Sequence, residues 1–158
     1  LFLAKQSFDR DIILICNNIE TFTKNIAKQI NATFIELDKD WGIYRLVLED
    51  KKNYIDFAKA IDNDIKKDIL RRDITINAIA YNLNTKEFYD PTNGIADIKS
   101  KKIKGISEQN FIDDPLRLLR VFRFQSALGF DIEEKTYSFI KKQLSKKPQQ
   151  QRKRVLQK

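Results

Sequence analysis

The spacing of apolar residues changes partway along this 158-residue chain, and the change divides it in two. Asp11–Cys16 (DIILIC) is a short, β-branched apolar run bounded by polar residues, the pattern of a buried strand. Ile19, Phe22, Ile26, Ala27 and Ile30 recur at helical spacing and predict a helix over Ile19–Ile30. Thr33–Leu37 and Ile43–Leu48 predict strands joined by a turn at Asp38–Gly42, and Asn53–Ala58 predicts a further strand. Strand, helix, then three strands implies an α+β (mixed α/β) fold with a small mixed or antiparallel sheet and flanking helices.

From Ile65 the spacing turns helical. Ile65, Ile69, Ile76, Ile79 and Ala80 can share one face of a helix extending through Asn82. A short strand is expected at Glu87–Asp90, a turn at Pro91–Gly94 and a brief apolar element at Ile103–Ile106. Asp114-Pro115 opens a strong helix that runs to Leu128, with Gly129 in the helix-ending position. Glu133–Leu144 has the spacing of another amphipathic helix, and the Lys-Lys-Pro-Gln-Gln-Gln run after it has the composition of a linker.

Composition narrows the chemistry. The chain has no histidine, which removes imidazole acid/base catalysis, Ser-His and Cys-His pairs, and nearly all zinc sites. What remains is carboxylate chemistry, whose natural metal is a hard ion such as magnesium. A single cysteine, Cys16, excludes an intrachain disulfide, fits a reducing, cytoplasmic setting, and is expected in the core. No apolar stretch approaches the roughly 20 residues of a membrane span, and the opening LFLAK lacks the features of a signal peptide. Methionine is absent even at position 1, as expected of a piece of a longer protein. The net charge is +8, and eight bases with no acid in residues 141–158 account for all of it. A basic tail on a neutral body suits a polyanion such as RNA, or equally a solvated helix end.

Four segments carry candidate chemistry. Asp9 and Asp11 flank Arg10 where the first strand begins, and strand residues two apart point to one face. Two carboxylates so placed can share magnesium, although two solvated turn acids give the same pattern. Asp56 interrupts the apolar strand Tyr54–Ala58, either on its solvent face or as a third acid beside that pair. In Leu70–Ala80 (LRRDITINAIA), Asp73 and Asn77 are one helical turn apart and could bond a ribose, with an arginine reaching phosphates. In Asp113–Arg123 (DDPLRLLRVFR), Arg117, Arg120 and Arg123 recur every third residue, and Asp114 lies three before Arg117. An aspartate beside an arginine can match the donors and acceptors of a base edge; the bland alternative is an N-cap followed by surface charges.

Taken in order, LRRDITINAIAYN, YDPTNGIADI and DDPLRLLRVFRFQSALGF resemble three successive motifs of the class II tRNA nucleotidyltransferases and bacterial poly(A) polymerases, within the polymerase-beta-like superfamily. The resemblance runs from Leu1 to about Leu144. It implies a nucleotidyltransferase head over residues 1–112 and a helical nucleotide-recognition and neck region over 113–158. It implies a magnesium-dependent enzyme that adds CMP, AMP or both to the 3′ end of tRNA from CTP and ATP, without a nucleic-acid template. Poly(A) synthesis, CC-only or A-only addition, and an inactive RNA-binding module of the same fold remain alternatives.

The resemblance also implies roles for individual residues. Asp9 and Asp11 correspond to the catalytic, metal-binding pair. Arg72 corresponds to a nucleotide-contacting arginine, with Asp73 and Asn77 around the sugar. Asp90–Asp97 corresponds to a hinge between nucleotide states, and Asp114 with Arg117 to an amino-acid template for cytosine or adenine. Arg120 and Arg123 correspond to further nucleotide contacts. Two features depart from the pattern: Asp113 stands where the family commonly has glutamate, and the family's Gly-rich phosphate loop has no counterpart in the sequence.

Overall fold

The structure, a computed structural model, describes residues 9–145, with Asp9 described by its backbone alone. Most of the basic tail therefore lies outside the described residues. The chain divides into two compact units, Leu1–Ile69 and Leu70–Lys158.

The first unit contains β1 (Asp9–Leu14), α1 (Ile19–Gln29), β2 (Thr33–Asp38), β3 (Ile43–Val47) and β4 (Tyr54–Lys59), the order the sequence predicts. It closes with α2 (Ile65–Leu70). The sheet order is β1-β4-β3-β2, with β1 parallel to β4 and β3 antiparallel to both its neighbours, so the sheet is mixed. Asn18 starts α1 by accepting the Thr21 N–H at 2.9 Å, and Ile19, Thr23 and Ala27 line the buried helix face at four-residue intervals. They pack with Tyr44, Leu46 and Phe57, and with the partly buried Ile12, Leu14 and Ile55. Cys16 is only half-buried against this core rather than enclosed in it, because it lies beyond the end of β1.

Strand alternation then fixes the opposite face of the sheet. Since Ile12 and Leu14, Tyr44 and Leu46, and Ile55 and Phe57 belong to the core, Asp11, Arg45, Tyr54 and Asp56 point to the other side. The backbone of Asp9, two residues before Asp11, is in register with Tyr54.

In the second unit, β5 (Ala80–Asn82) and β6 (Glu87–Tyr89) form an antiparallel hairpin. They are followed by α3 (Gly94–Lys99), β7 (Lys102–Ile103), α4 (Glu108–Asp113), α5 (Leu116–Leu128), β8 (Asp131–Ile132) and α6 (Glu134–Ser145). Ile74, Ile103, Phe111, Leu118, Val121, Phe130, Phe139 and Ile140 form its core. Gly129 ends α5 with φ +67°, its N–H bonded to the Gln125 carbonyl at 2.8 Å, as the sequence predicts.

The helix expected over Ile65–Asn82 does not form. Helix α2 stops at Leu70, residues 75–77 make a single 3₁₀ turn, and β5 follows. The apolar spacing is real, but the β-branched Ile74-Thr75-Ile76 run favours extended backbone. That backbone finds partners at once: the Thr75 N–H donates to Lys104 O at 2.9 Å, the Ile106 N–H donates to Asp73 O at 3.1 Å, and Ile74 bridges Gly105. The turn expected at Pro91–Gly94 forms at Pro91–Thr92, and two short helices, α3 and α4, follow where no element was expected. Asp90 starts α3 by accepting the N–H groups of Gly94 and Ile95 at 2.7 and 2.8 Å. Ser107 starts α4 by accepting the Asn110 N–H at 3.2 Å, a capping signal present in the sequence.

Gly94 lets α3 rest directly on the 75–77 turn. A methyl group there would lie 2.8 Å from the Thr75 carbonyl carbon and closer still to its oxygen, and backbone cannot swing away as a side chain could. Gly94→Ala is therefore expected to destabilise the protein by about 1–3 kcal/mol, the usual cost of overpacking. A lower urea midpoint at unchanged slope checks this, and an unchanged midpoint contradicts it.

Candidate active site

Two sets of residues carry the candidate chemistry, one in each unit. In the first unit, the β1–β4 register sets Asp9 beside Tyr54 and Asp11 beside Asp56, and the β3–β4 register sets Asp56 beside Arg45. Asp11 is exposed. Arg45 grips Asp56 with a two-pronged ion pair, Nε to Oδ1 and Nη2 to Oδ2, both at 2.7 Å. The guanidinium also lies over the Tyr54 ring, 3.8 Å from its centre. Asp56 thus lies on the sheet face opposite the α1 core, beside Asp11 in register, and its charge has a partner. The carboxylate oxygens at Asp9 and Asp11 suit a hard ion such as magnesium. Among the described residues no group of three or more His, Cys, Asp or Glu side chains is placed to hold a metal, so the fit rests on the chemistry of that pair.

The second set is built around the segment following α2. The Asp73 side chain is 4% exposed, and one carboxylate oxygen accepts the Ile74 N–H at 3.0 Å and the Asn77 amide at 3.3 Å. Its other oxygen accepts Nε of Arg120 from α5 at 2.6 Å. Asp73 and Asn77 do meet, as the sequence suggests, but across a turn rather than along a helix. Arg72 folds over the same turn, donating from Nη1 to the Asn77 carbonyl at 3.0 Å.

Helix α5 brings the remaining groups to this segment. Arg117 donates from Nη1 to the carbonyls of Arg71, at 2.6 Å, and Asn110, at 3.2 Å, while its Nε lies 3.5 Å from Asp114. Asp114 in turn accepts the Leu116 N–H at 3.1 Å just before the helix begins and faces Arg117 at once. Arg123 is exposed beside Phe124 on its own helix, 5.1 Å from the ring centre, and makes no hydrogen bond to residues 70–77.

Two sets of supporting contacts escaped the sequence reading, which named Asp97 only as the end of a hinge segment and Asn110 not at all. Buried Asn110 donates to the carbonyls of Leu70 and Arg72 at 2.8 and 2.7 Å, fixing the chain on either side of Arg71. Buried Asp97 accepts from Thr75 Oγ1 at 2.7 Å and pairs with Lys104 at 2.6 Å. The hydrogen bond to Asp97 raises the Lys104 pKa above its ordinary value, against the opposing effect of burial. Only the Ser107 cap hinted at Asn110, because these contacts span about 40 residues and leave no local pattern.

The chain is similar to known proteins over most of its length. Residues 1–104 match the family model described as the poly A polymerase head domain. The chain is 34% identical over 137 residues to the CC-adding tRNA nucleotidyltransferase of Synechocystis, covering 87% of this chain and 32% of that protein. It is 40% identical over 136 residues to the CCA-adding enzyme of Streptococcus thermophilus, covering 85% and 31%. A solved structure of a CCA-adding enzyme with CTP superposes with a TM-score of 0.80 at 31% identity, covering 90% of this chain and 36% of that one. The chain spans about a third of the length of these relatives. No helix among the described residues is long and apolar enough to cross a membrane. On the extent of these matches, the chain belongs to the nucleotidyltransferase family defined by the poly A polymerase head domain.

Proposed function

We propose that this chain is the head of a template-independent RNA 3′-end nucleotidyltransferase that transfers CMP, AMP or both from CTP and ATP to tRNA. The attachment of Arg117 and Arg120 to the 71–73 segment carries the proposal, since it gathers the nucleotide-side residues within one unit. Its supporting relatives bear the names of CC-adding and CCA-adding enzymes. In this reading residues 1–112 form the catalytic head and 113–158 begin the recognition and neck region, in a cytoplasmic protein.

The reaction is in-line displacement. The RNA 3′-oxygen forms a bond to the α-phosphorus, the bond to the bridging oxygen of the β-phosphate breaks, the hydroxyl proton is lost and pyrophosphate departs. Asp9 and Asp11 would hold magnesium, which when bound supplies activation of the hydroxyl and neutralises triphosphate charge. Arg72 and Arg120 present guanidinium groups to the phosphates, and Asn77 offers its amide to the sugar. Asp73 is too buried to serve chiefly as a sugar ligand; it orients Arg120 and Asn77. Asp114 and Arg117 offer one acceptor and several donors side by side, and their fixed order selects the base edge. Arg123, exposed further along α5, is available to the triphosphate or to RNA. Most of the catalysis assigned to these residues is positioning and electrostatic stabilisation.

Incorporation of labelled nucleotides by the protein at its full natural length tests this, using tRNA that ends before CCA, after C, and after CC. CMP or AMP is expected to be added with magnesium, and the pattern over the three substrates identifies which additions occur. Asp9→Ala with Asp11→Ala should lower the rate on the order of 10³-fold or more while the fold survives. Arg117→Ala should reduce discrimination among the four triphosphates about tenfold or more. Undiminished incorporation by the Asp9/Asp11 variant, or undiminished selectivity by the Arg117 variant, would contradict the corresponding role.

A further inference from the structure

Helix α2 ends at Leu70, and a helix end leaves carbonyl groups without partners. Three successive carbonyls there each accept a side-chain donor from 38 to 46 residues further along the chain. The Asn110 amide donates to Leu70 O at 2.8 Å and to Arg72 O at 2.7 Å. Arg117 Nη1 donates to Arg71 O, between those two, at 2.6 Å. The same Nη1 donates to the carbonyl of Asn110 itself at 3.2 Å. Asn110 therefore touches both parties: its side chain holds the segment that carries Arg72, and its backbone holds the Arg117 guanidinium. Two acceptors face its side chain, so the amide nitrogen must point toward them and both of its hydrogens are used.

Its own helix is anchored independently. Ser107 Oγ accepts the Asn110 N–H at 3.2 Å, and the next residue, Phe111, is buried with Ile74, Val121 and Phe139. Asn110 is 9% exposed, so water cannot readily take over its two bonds. The phosphate side has further supports, since Arg72 also bonds the Asn77 carbonyl and Asp73 bonds Arg120.

We propose that Asn110 is a positioning residue for nucleotide choice, fixing how far the base-facing pair Asp114 and Arg117 stands from the phosphate-facing Arg72. This rests on the roles given to those three residues in the proposed reaction. A triphosphate is held at its phosphates while its base edge is read, so the reading is strict only when the two ends are a fixed distance apart. Without the amide, the Leu70 and Arg72 carbonyls lose their donor, the Arg71 carbonyl between them shifts, and Arg117 follows it. Wrong bases then find acceptable poses, while the phosphate contacts that Asn77 and Asp73 support change little. A residue that only stabilised the fold would have no such signature, because its loss would weaken every triphosphate alike.

The test is steady-state incorporation of each of the four nucleotides by the protein at its full natural length. Inhibition by tripolyphosphate, which has the charge but no base, is measured beside it. Asn110→Asp keeps the shape and replaces the donor with an oxygen, and Asn110→Ala removes the group. Ile140→Ala, an apolar residue of the same core, reports the effect of lost stability alone. Thermal melting sets an assay temperature at which the variants are folded. Both Asn110 variants should lower the kcat/KM ratio of the preferred triphosphate over the next best about tenfold. Tripolyphosphate inhibition should stay close to that of the parent, and Ile140→Ala should keep the parent ratio. A parent-like ratio in either Asn110 variant, or an equal loss for all four triphosphates and tripolyphosphate, overturns the role of Asn110 and leaves the proposed function standing. If Arg117→Ala leaves the ratio unchanged, the base-reading assignment itself is wrong and the inference falls with it.

Discussion

Asp73 lies almost wholly out of water, so the protein must supply the hydrogen bonds and counter-charge that solvent would otherwise give it. It does so from three directions: the next backbone N–H, the Asn77 amide, and the Arg120 guanidinium on α5. The last of these joins residues 47 positions apart. Once made, it commits the backbone on both sides of Asp73. Ile74 and Thr75 are held extended against residues 104–105, Arg72 closes over Asn77, and Arg117, one helical turn before Arg120, reaches the Arg71 carbonyl. Asn110 secures the same stretch from α4. Arg72, Asn77, Arg117 and Arg120 are thus ordered by polar contacts before any ligand arrives, the preorganisation that electrostatic catalysis depends on.

The first unit is ordered instead by strand register, which sets Asp11 beside Asp56 and Asp56 beside the Arg45 that grips it. Core packing of Ile12, Leu14, Ile55 and Phe57 turns Asp11 and Asp56 outward. Arg45 reaches the same face because its neighbours Tyr44 and Leu46 belong to the core. The apolar pattern of three strands therefore decides where the charges sit, and the register of those strands decides which of them are neighbours.

Much of this was legible in the sequence, and the exceptions share a cause. The mixed sheet, α1, α5 and α6 follow from local periodicity and capping. The Ile65–Asn82 stretch misled because Ile65, Ile69, Ile76 and Ile79 do have helical spacing, while the partners that pull Ile74 and Thr75 into extended backbone lie about 30 residues away. Asn110 was hidden for the same reason, since its contacts span about 40 residues, whereas the Asp97–Lys104 and Arg45–Asp56 pairs join neighbouring elements and leave no trace within either one. The β-branched run at 74–76 was the available warning for the first of these. Asp73 was assigned by its resemblance to a sugar-contacting position, and only its burial reveals what its carboxylate holds.

The central claim is that the Asp73–Arg120 pair organises the nucleotide-side residues of the second unit. A double-mutant cycle on CTP affinity, measured calorimetrically with Asp73→Asn, Arg120→Gln and both together, tests it most directly. Each single variant should bind CTP about tenfold more weakly, and the double variant should bind no worse than Arg120→Gln alone, because Asp73 acts through Arg120. Fully additive losses, or a parent-like affinity for Asp73→Asn, would contradict the claim.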